Sequence, residues 1–404
     1  MMRATHTTHG VRRTLLPAIV LLLSAHSGTA RAGIADVLRD PRFNHLGLAP
    51  IAPALASTVA STYPVASSSS SVVYAYNPQL DALERQEGVA GPIIGERAET
   101  IGKGQFTFAA SYSYVHLTTI NGDDLDGLLN RPRVNGNTLI FRVEPGTTLA
   151  DGRFATFLPV RVRADIDVEA HILAPSITYG VTPDLDVNLT VPLLRTSLGV
   201  TAHTRVPDPR FPQFALVPGD PNAQSGIKSL DDDAVGIGDI LLRAKYVLLR
   251  SDWVDAAVQL GLSLPTGSRD DLQGTGTTRL QPALVLSHVF ADRFEPFLNV
   301  GVDYNTNDVG RSVVRWGLGG TAQIVDRFSA TVAFFGRHEL AAQADPIETP
   351  FFFQIERNDQ YDASVGFRWR FADSGFVGLN AIVPLNEDGL RPDVIPTLEL
   401  EYSF

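Results

Sequence analysis

From Gln105 onward the sequence alternates apolar and polar side chains with a period of two, and it does so in twelve separate segments. In Q-F-T-F-A-A-S-Y-S-Y (105–114), Phe106, Phe108, Ala110, Tyr112 and Tyr114 share one face, and Gln, Thr, Ala, Ser and Ser take the other. The pattern returns in 162–170, 185–193, 240–248, 256–264, 280–286, 296–304, 314–324, 330–334, 361–371, 377–385 and 398–404. Such a period belongs to extended strands with one apolar face. Most segments have about the length a tilted strand needs to cross a bilayer. Beyond the first 32 residues no apolar run approaches the ~18 residues of a spanning helix. A backbone in lipid must satisfy its own hydrogen bonds, so only helices and closed barrels cross. The alternation therefore predicts an all-β fold, a transmembrane antiparallel β-barrel of about 12 strands.

The connections carry the same message. Short ones (182–184, 250–254, 291–294, 326–327, 372–375) alternate with long ones (118–160, 201–236, 266–278, 306–311, 340–359, 386–393). Outer-membrane barrels segregate periplasmic turns from extracellular loops in this way, whereas a soluble sandwich has no reason to. Tyr179, Tyr246, Trp253, Phe290, Phe294, Phe328, Phe371 and Phe376 lie beside the short turns, where an interfacial aromatic girdle is expected. The closing T-L-E-L-E-Y-S-F alternates to the last residue. Its even positions are expected to face lipid and the strand to pair with the first. Leu400, Tyr402 and Phe404 also resemble the terminal signal by which bacterial barrels are handed to the barrel assembly machinery.

Residues 1–32 combine Arg3, Arg12 and Arg13, the apolar run TLLPAIVLLLSA, and Ala30-Arg31-Ala32 as a small-x-small cleavage site. This reads as a signal peptide, with export to the bacterial outer membrane. Residues 33–104 are rich in Ala, Pro, Ser and Thr, with five serines at 67–71. They form a mostly irregular extension of low order, placed in the periplasm or plugging the lumen, ahead of the barrel at 105–404. The formal net charge of −11 argues against a nucleic-acid partner. The expected partners are outer-membrane lipid, lipopolysaccharide and small organic solutes. Zero cysteines removes thiolate chemistry, and no metal or cofactor is implied.

A water-accessible lumen requires polar inward positions. The candidates are Arg161, Arg163, Asp165, Asp167, Glu169 and His171 on one strand face, because six ionisable groups toward lipid would cost roughly 2–4 kcal/mol each at mid-depth. Arg243, Lys245, Arg315, Arg368, Arg370, Glu399 and Glu401 join them, with Asp239 and Asp362. Their mixed signs predict ion pairs across the wall and weak charge selectivity at most. Ser287-His288 lacks a neighbouring acid by spacing, so no catalytic residues are expected. The acidic runs at 123–126 and 231–233 read as solvated loops.

G-I-G-D (236–239), L-P-T-G (264–267) and E-R-A-E-T-I-G-K-G (96–104) together resemble the MetA-pathway of phenol degradation family, distant relatives of FadL-type channels, over roughly 95–404. The resemblance implies a barrel that admits small, poorly polar, aromatic molecules, has no catalytic residues, and uses Asp239 and Thr266 structurally at strand ends. The extension has no counterpart in that pattern. Two other classes stay open: a structural or adhesive barrel working through loops 118–160 and 201–236, and a barrel hydrolase.

Overall fold

The computed structural model describes residues 33–39, 55–56, 58–60, 67–68, 73–77, 82–86, 89–127, 138–142, 157–205, 225–340 and 359–404. Twelve strands make the wall: β1 (Phe106–Ile120), β2 (Phe157–Thr182), β3 (Leu185–Thr190 continuing as Leu193–Arg205) and β4 (Ser225–Ile237 continuing as Ile240–Leu249). They are followed by β5 (Asp255–Leu264), β6 (Arg279–Ser287), β7 (Phe294–Asn305) and β8 (Val313–Val325). The last four are β9 (Phe328–Glu339), β10 (Gln360–Ala372), β11 (Gly375–Pro384) and β12 (Ile395–Ser403). Every neighbouring pair is antiparallel, and β12 pairs with β1 from Thr397↔Ser113 to Ser403↔Thr107, closing the cylinder. Each period-two segment of the sequence corresponds to one of these strands. Asp123–Asp124, Thr138–Arg142 and Leu390–Pro392 add short pieces to the wall, and Val73–Asn77 pairs with Ala82–Gln86 separately.

The terminal strand does not fray. The Phe404 N–H donates to the Phe106 carbonyl at 2.8 Å, the reverse bond is 2.9 Å, and the two rings stack with centroids 6.1 Å apart. Leu398, Leu400, Tyr402 and Phe404 are exposed on the outer face, while Glu399 and Glu401 are buried inside. The girdle residues at the short turns are exposed too, except Phe376, which turns inward against Ala90. Leu379, midway along β11, presents 59% of its surface outward. Leu379→Arg is expected to lower barrel stability by roughly 2–4 kcal/mol, read from the urea midpoint in lipid vesicles.

One expectation is corrected. In β2 the odd residues from Arg163 to Tyr179 lie on one face in unbroken register, the face that carries exposed Ile177 and Tyr179. Arg163, Asp165, Asp167, Glu169 and His171 therefore point outward, not into the lumen. The Cα of Arg161 pairs with that of Arg205 in the same register, but its side chain lies outside the described residues. Physically, β2 has 26 residues, far beyond the ~9–11 that a bilayer requires. Its charged half rises past the lipid into water, where outward charge costs little. The adjoining hairpin, Leu193–Arg205 with Ser225–Ile237, likewise turns much of the expected 201–236 loop into strand. That puts Asp231, Asp232 and Asp233 on an edge that meets no further strand among the described residues, where their charge discourages additional pairing. The remainder of the loops proposed as adhesive surfaces, including 128–137, 143–156 and 206–224, lies outside the described residues.

Candidate functional site

The inward positions of the wall do not face open space. Residues 89–101, which have no periodicity, run inside the barrel and are held to it by polar contacts. The Glu96 N–H donates to Asn299 Oδ1 at 2.8 Å, the Ala98 N–H to Ser287 Oγ at 2.9 Å, and the Ile101 N–H to Asp186 Oδ2 at 3.0 Å. Lys245 Nζ donates to the carbonyls of Arg97 and Glu99 at 3.1 and 2.6 Å. Arg243 reaches Glu96 Oε1 at 2.9 Å and Asn188 Oδ1 at 2.9 Å. Arg97 lies between Glu295 (3.1 Å) and Glu99 (2.7 Å), with Glu295 fully buried. A buried pair of this kind contributes little net, but losing one partner strands a charge at a cost of about 3–5 kcal/mol.

Glu96 shows why the strand of contacts holds. Burial alone would raise its carboxyl pKa, yet Arg243, Lys245 and the Ser68 N–H and hydroxyl together bring it below the ordinary value. A carboxyl depressed on folding stabilises above its unfolded pKa, and that contribution is lost as pH falls through the folded one. The inner segment thus stays fastened across the usual carboxylate range and loosens only below it.

On the opposite wall Arg368 is 2% exposed and bridges Glu399 at 2.5 Å and Glu401 at 3.5 Å, while donating to the Gly91 carbonyl at 2.9 Å. Beside it Ile93 fits against Gly378, where an added Cβ would lie 2.7 Å from Ile93 Cδ1. Arg370 sits at the short-turn rim and donates to the Asp326 carbonyl. Arg315 pairs with Asp303, which Arg279 also holds at 2.8 Å.

Toward the long connections the interior becomes apolar. Ile34, Val37, Leu38, Leu55 and Val59 pack in one buried cluster with Val115, Leu117, Ala164, Ile166, Val168, Leu198 and Val200. Of these wall residues, Ala164, Ile166 and Val168 lie on the face of β2 that alternation alone assigned to lipid. In this upper tier the face assignment inverts, because the extension supplies an apolar partner inside and water bathes the outside.

Between the tiers the wall is interrupted at Val191–Pro192 in β3 and Gly238–Asp239 in β4, since proline cannot donate to the ladder. The two quoted motifs mend this break by bonding each other. The Ile240 N–H donates to Thr266 Oγ1, which itself donates to the Gly238 carbonyl at 2.7 Å. Buried Asp239 accepts from the Gly267 N–H (3.1 Å), the Thr275 N–H (2.8 Å) and the Thr275 hydroxyl (2.7 Å). Asp239→Ala is expected to cost roughly 2–4 kcal/mol locally and to open residues 268–274 to limited proteolysis. Beside the break lies a cavity of about 280 Å³, bounded by Glu96 of the inner segment and by Arg243, Gln281, Arg315 and Phe335 of the wall.

The outward charges of β2 are organised among themselves. Tyr114 donates to Glu169 at 2.7 Å, Tyr112 meets His171 Nδ1 at 2.7 Å, and His116 Nε2 lies 3.0 Å from Asp167. Arg163 and His203 both hold Asp165. His116, Asp167 and Glu169 thereby offer ligand atoms within 4.8 Å of one another, a grouping that sequence spacing did not foresee. Nor did spacing show that His288 Nδ1 meets Asp255 at 3.0 Å, across two paired strands, while the Ser287 hydroxyl accepts from Ala98 N–H.

The family described as Putative MetA-pathway of phenol degradation matches residues 148–344, the family that the G-I-G-D and L-P-T-G motifs resemble. No curated protein matches the chain. Among solved structures it is similar to the COG4313 outer membrane channel from Pseudomonas putida F1, at 12% identity over 76% of this chain and 98% of that one, TM-score 0.48. It is also similar to a Pseudomonas aeruginosa FadL homologue, at 12% identity over 74% and 90%, TM-score 0.33. For the Ralstonia pickettii toluene transporter TbuX the values are 11% identity over 75% and 90%, TM-score 0.37.

Proposed function

We propose that this chain, whose middle portion carries the phenol degradation signature, is a bacterial outer-membrane channel for passive passage of small organic solutes. The observation that carries the reading is the filled lumen. A closed twelve-strand wall with an apolar outer belt encloses polar inward groups, among them Asp186, Arg243, Lys245, Asn299 and Arg368, that bond a separate, non-strand segment with a cavity beside it. The wall hides its backbone from lipid, the inner segment restricts the bore, and diffusion down a gradient does the work. Small hydrophobic or aromatic solutes are the class that the family match supports. Residues 1–32 act as the export signal, and Leu400, Tyr402 and Phe404 present the chain to the barrel assembly machinery. In the lower tier Arg243, Lys245, Arg368 and Arg370 stand against Asp186, Glu295, Glu399 and Glu401, so the signs balance and charge selectivity is weak.

Proteoliposomes in iso-osmotic solutions of uncharged organic solutes of graded size provide the test. Swelling faster than protein-free vesicles, and falling with solute size, is the expected result. Swelling indistinguishable from the control for every solute would overturn the channel.

A further inference from the structure

Residues 33–39 pack inside the wall against the loop 265–278 that joins β5 to β6. Leu272 of that loop is fully buried in one cluster with Ile34, Leu38, Leu194 and Leu198. Its neighbours lie across the break in the wall. The Thr196 hydroxyl of β3 donates to the Asp271 carbonyl at 2.6 Å, and the Gln273 side chain lies against Gly236 of β4.

Gly33 is the residue that follows Ala30-Arg31-Ala32, and its backbone is fitted to this loop. An added Cβ would lie 2.5 Å from Asp270 Cβ and 2.6 Å from the Asp270 carbonyl oxygen, so the close approach admits glycine alone. The Ala35 N–H donates to the Asp270 carbonyl at 2.9 Å, and the Ile34 N–H to Asp271 Oδ1 at 3.3 Å. Successive backbone nitrogens lie roughly 3–4 Å apart, which puts the Gly33 nitrogen one step from the Asp271 carboxylate. Asp270 already meets Arg39 at 3.5 Å, whereas no cationic side chain among the described residues pairs with half-buried Asp271.

We propose that hydrolysis of the Ala32–Gly33 peptide bond frees an α-ammonium that pairs with Asp271 and fastens the 265–278 loop across the break. A processing peptidase catalyses the step. Water adds across the bond, its oxygen to the Ala32 carbonyl carbon and, at neutral pH, both its protons to the Gly33 nitrogen. The charged side chains around the new terminus are Asp36, Arg39, Asp270 and Asp271. An unpaired α-ammonium keeps its charge up to about pH 7.7–8.0, and a facing carboxylate extends that range upward. The fastening therefore holds at neutral pH and is lost as pH rises past the paired value. This inference rests on residues 1–32 acting as the export signal and is independent of conduction.

The test uses the mature full chain purified from the outer membrane in detergent micelles, its first residue read by mass spectrometry. Gly33 is expected; any other first residue overturns the inference together with the placement of the cleavage site. Tryptic cutting after Arg269 then reports on the loop. Asp271→Asn keeps an acceptor for the Ile34 N–H and removes only the charge, and should speed cutting roughly threefold to fivefold. An alanine inserted after Ala32, which displaces the ammonium by one residue, should do the same, and the two changes together no more than either. If Asp271→Asn acts as strongly with the insertion as without it, the pairing is overturned while the export signal stands. Should the insertion alter processing or the loop resist trypsin, the α-amine is dimethylated with 13C-formaldehyde and titrated by NMR. A pKa above about 8 that drops in Asp271→Asn is expected, and the same value in both proteins overturns the pairing.

Discussion

Replacing Arg368 with methionine is expected to lower the barrel's unfolding free energy by about 3–5 kcal/mol, and adding Glu399→Gln with Glu401→Gln is expected to recover most of that loss. The arginine is 2% exposed and stands between two carboxylates that are equally buried. Without it, two like charges on alternate residues of one strand would share a dry wall. Neutralising them removes the reason for the cation, and a methionine of similar reach can then pack against Ile93. Denaturant midpoints in lipid vesicles for the four corners of this cycle read the coupling directly. If Arg368→Met costs as much in the doubly neutralised background as in the wild type, the carboxylates are not what Arg368 serves.

The second large effect concerns conduction. Deleting residues 33–94 is expected to raise single-channel conductance in planar bilayers by about an order of magnitude, since a wall of twelve strands is wider than the ~8 whose own side chains fill the interior. The deletion removes Ile93 and both apolar turns, Ile34–Arg39 and the stretch around Leu55, from the bore. It leaves Glu96–Ile101 bonded near the short turns, so the buried Arg97–Glu295 pair is kept. Unchanged small conductance would mean that the wall and loops, not the inner segment, set the constriction.

How much of this could be read from the residues divides along a physical line. The strands were legible because alternation is a local signal that each segment carries alone, and all twelve appear. Arg243, Lys245, Arg368, Glu399 and Glu401 lie on the inward face that alternation gives them. Their partners were not legible, since Glu96, Gly91 and the carbonyls of Arg97 and Glu99 come from a segment without period, joined across 146 or more residues of sequence in the case of Lys245 and Arg243. The run from Arg163 to His171 failed for a different reason. Period two tells which residues share a face, but not which face is wet, and that depends on where the bilayer ends along a 26-residue strand. Apolar Ala164, Ile166 and Val168 looked lipid-facing because the extension that covers them carries no sequence mark of its own. Asp239 and Thr266 were placed correctly as strand-end residues, although only the fold shows that the two motifs bond each other.

The seam between β12 and β1 has a consequence for how such a molecule can be made. The Thr107 and Ser403 hydroxyls meet at 2.9 Å across 296 residues of chain, which makes this one of the most distant pairings in the wall. Bringing such ends together carries the greatest loss of chain freedom and belongs late in assembly. By then the stretch bearing Ile93, Glu96 and Arg97 has long since been synthesised. A curled, unclosed sheet can gather it laterally, whereas a finished cylinder would have to be threaded from one mouth.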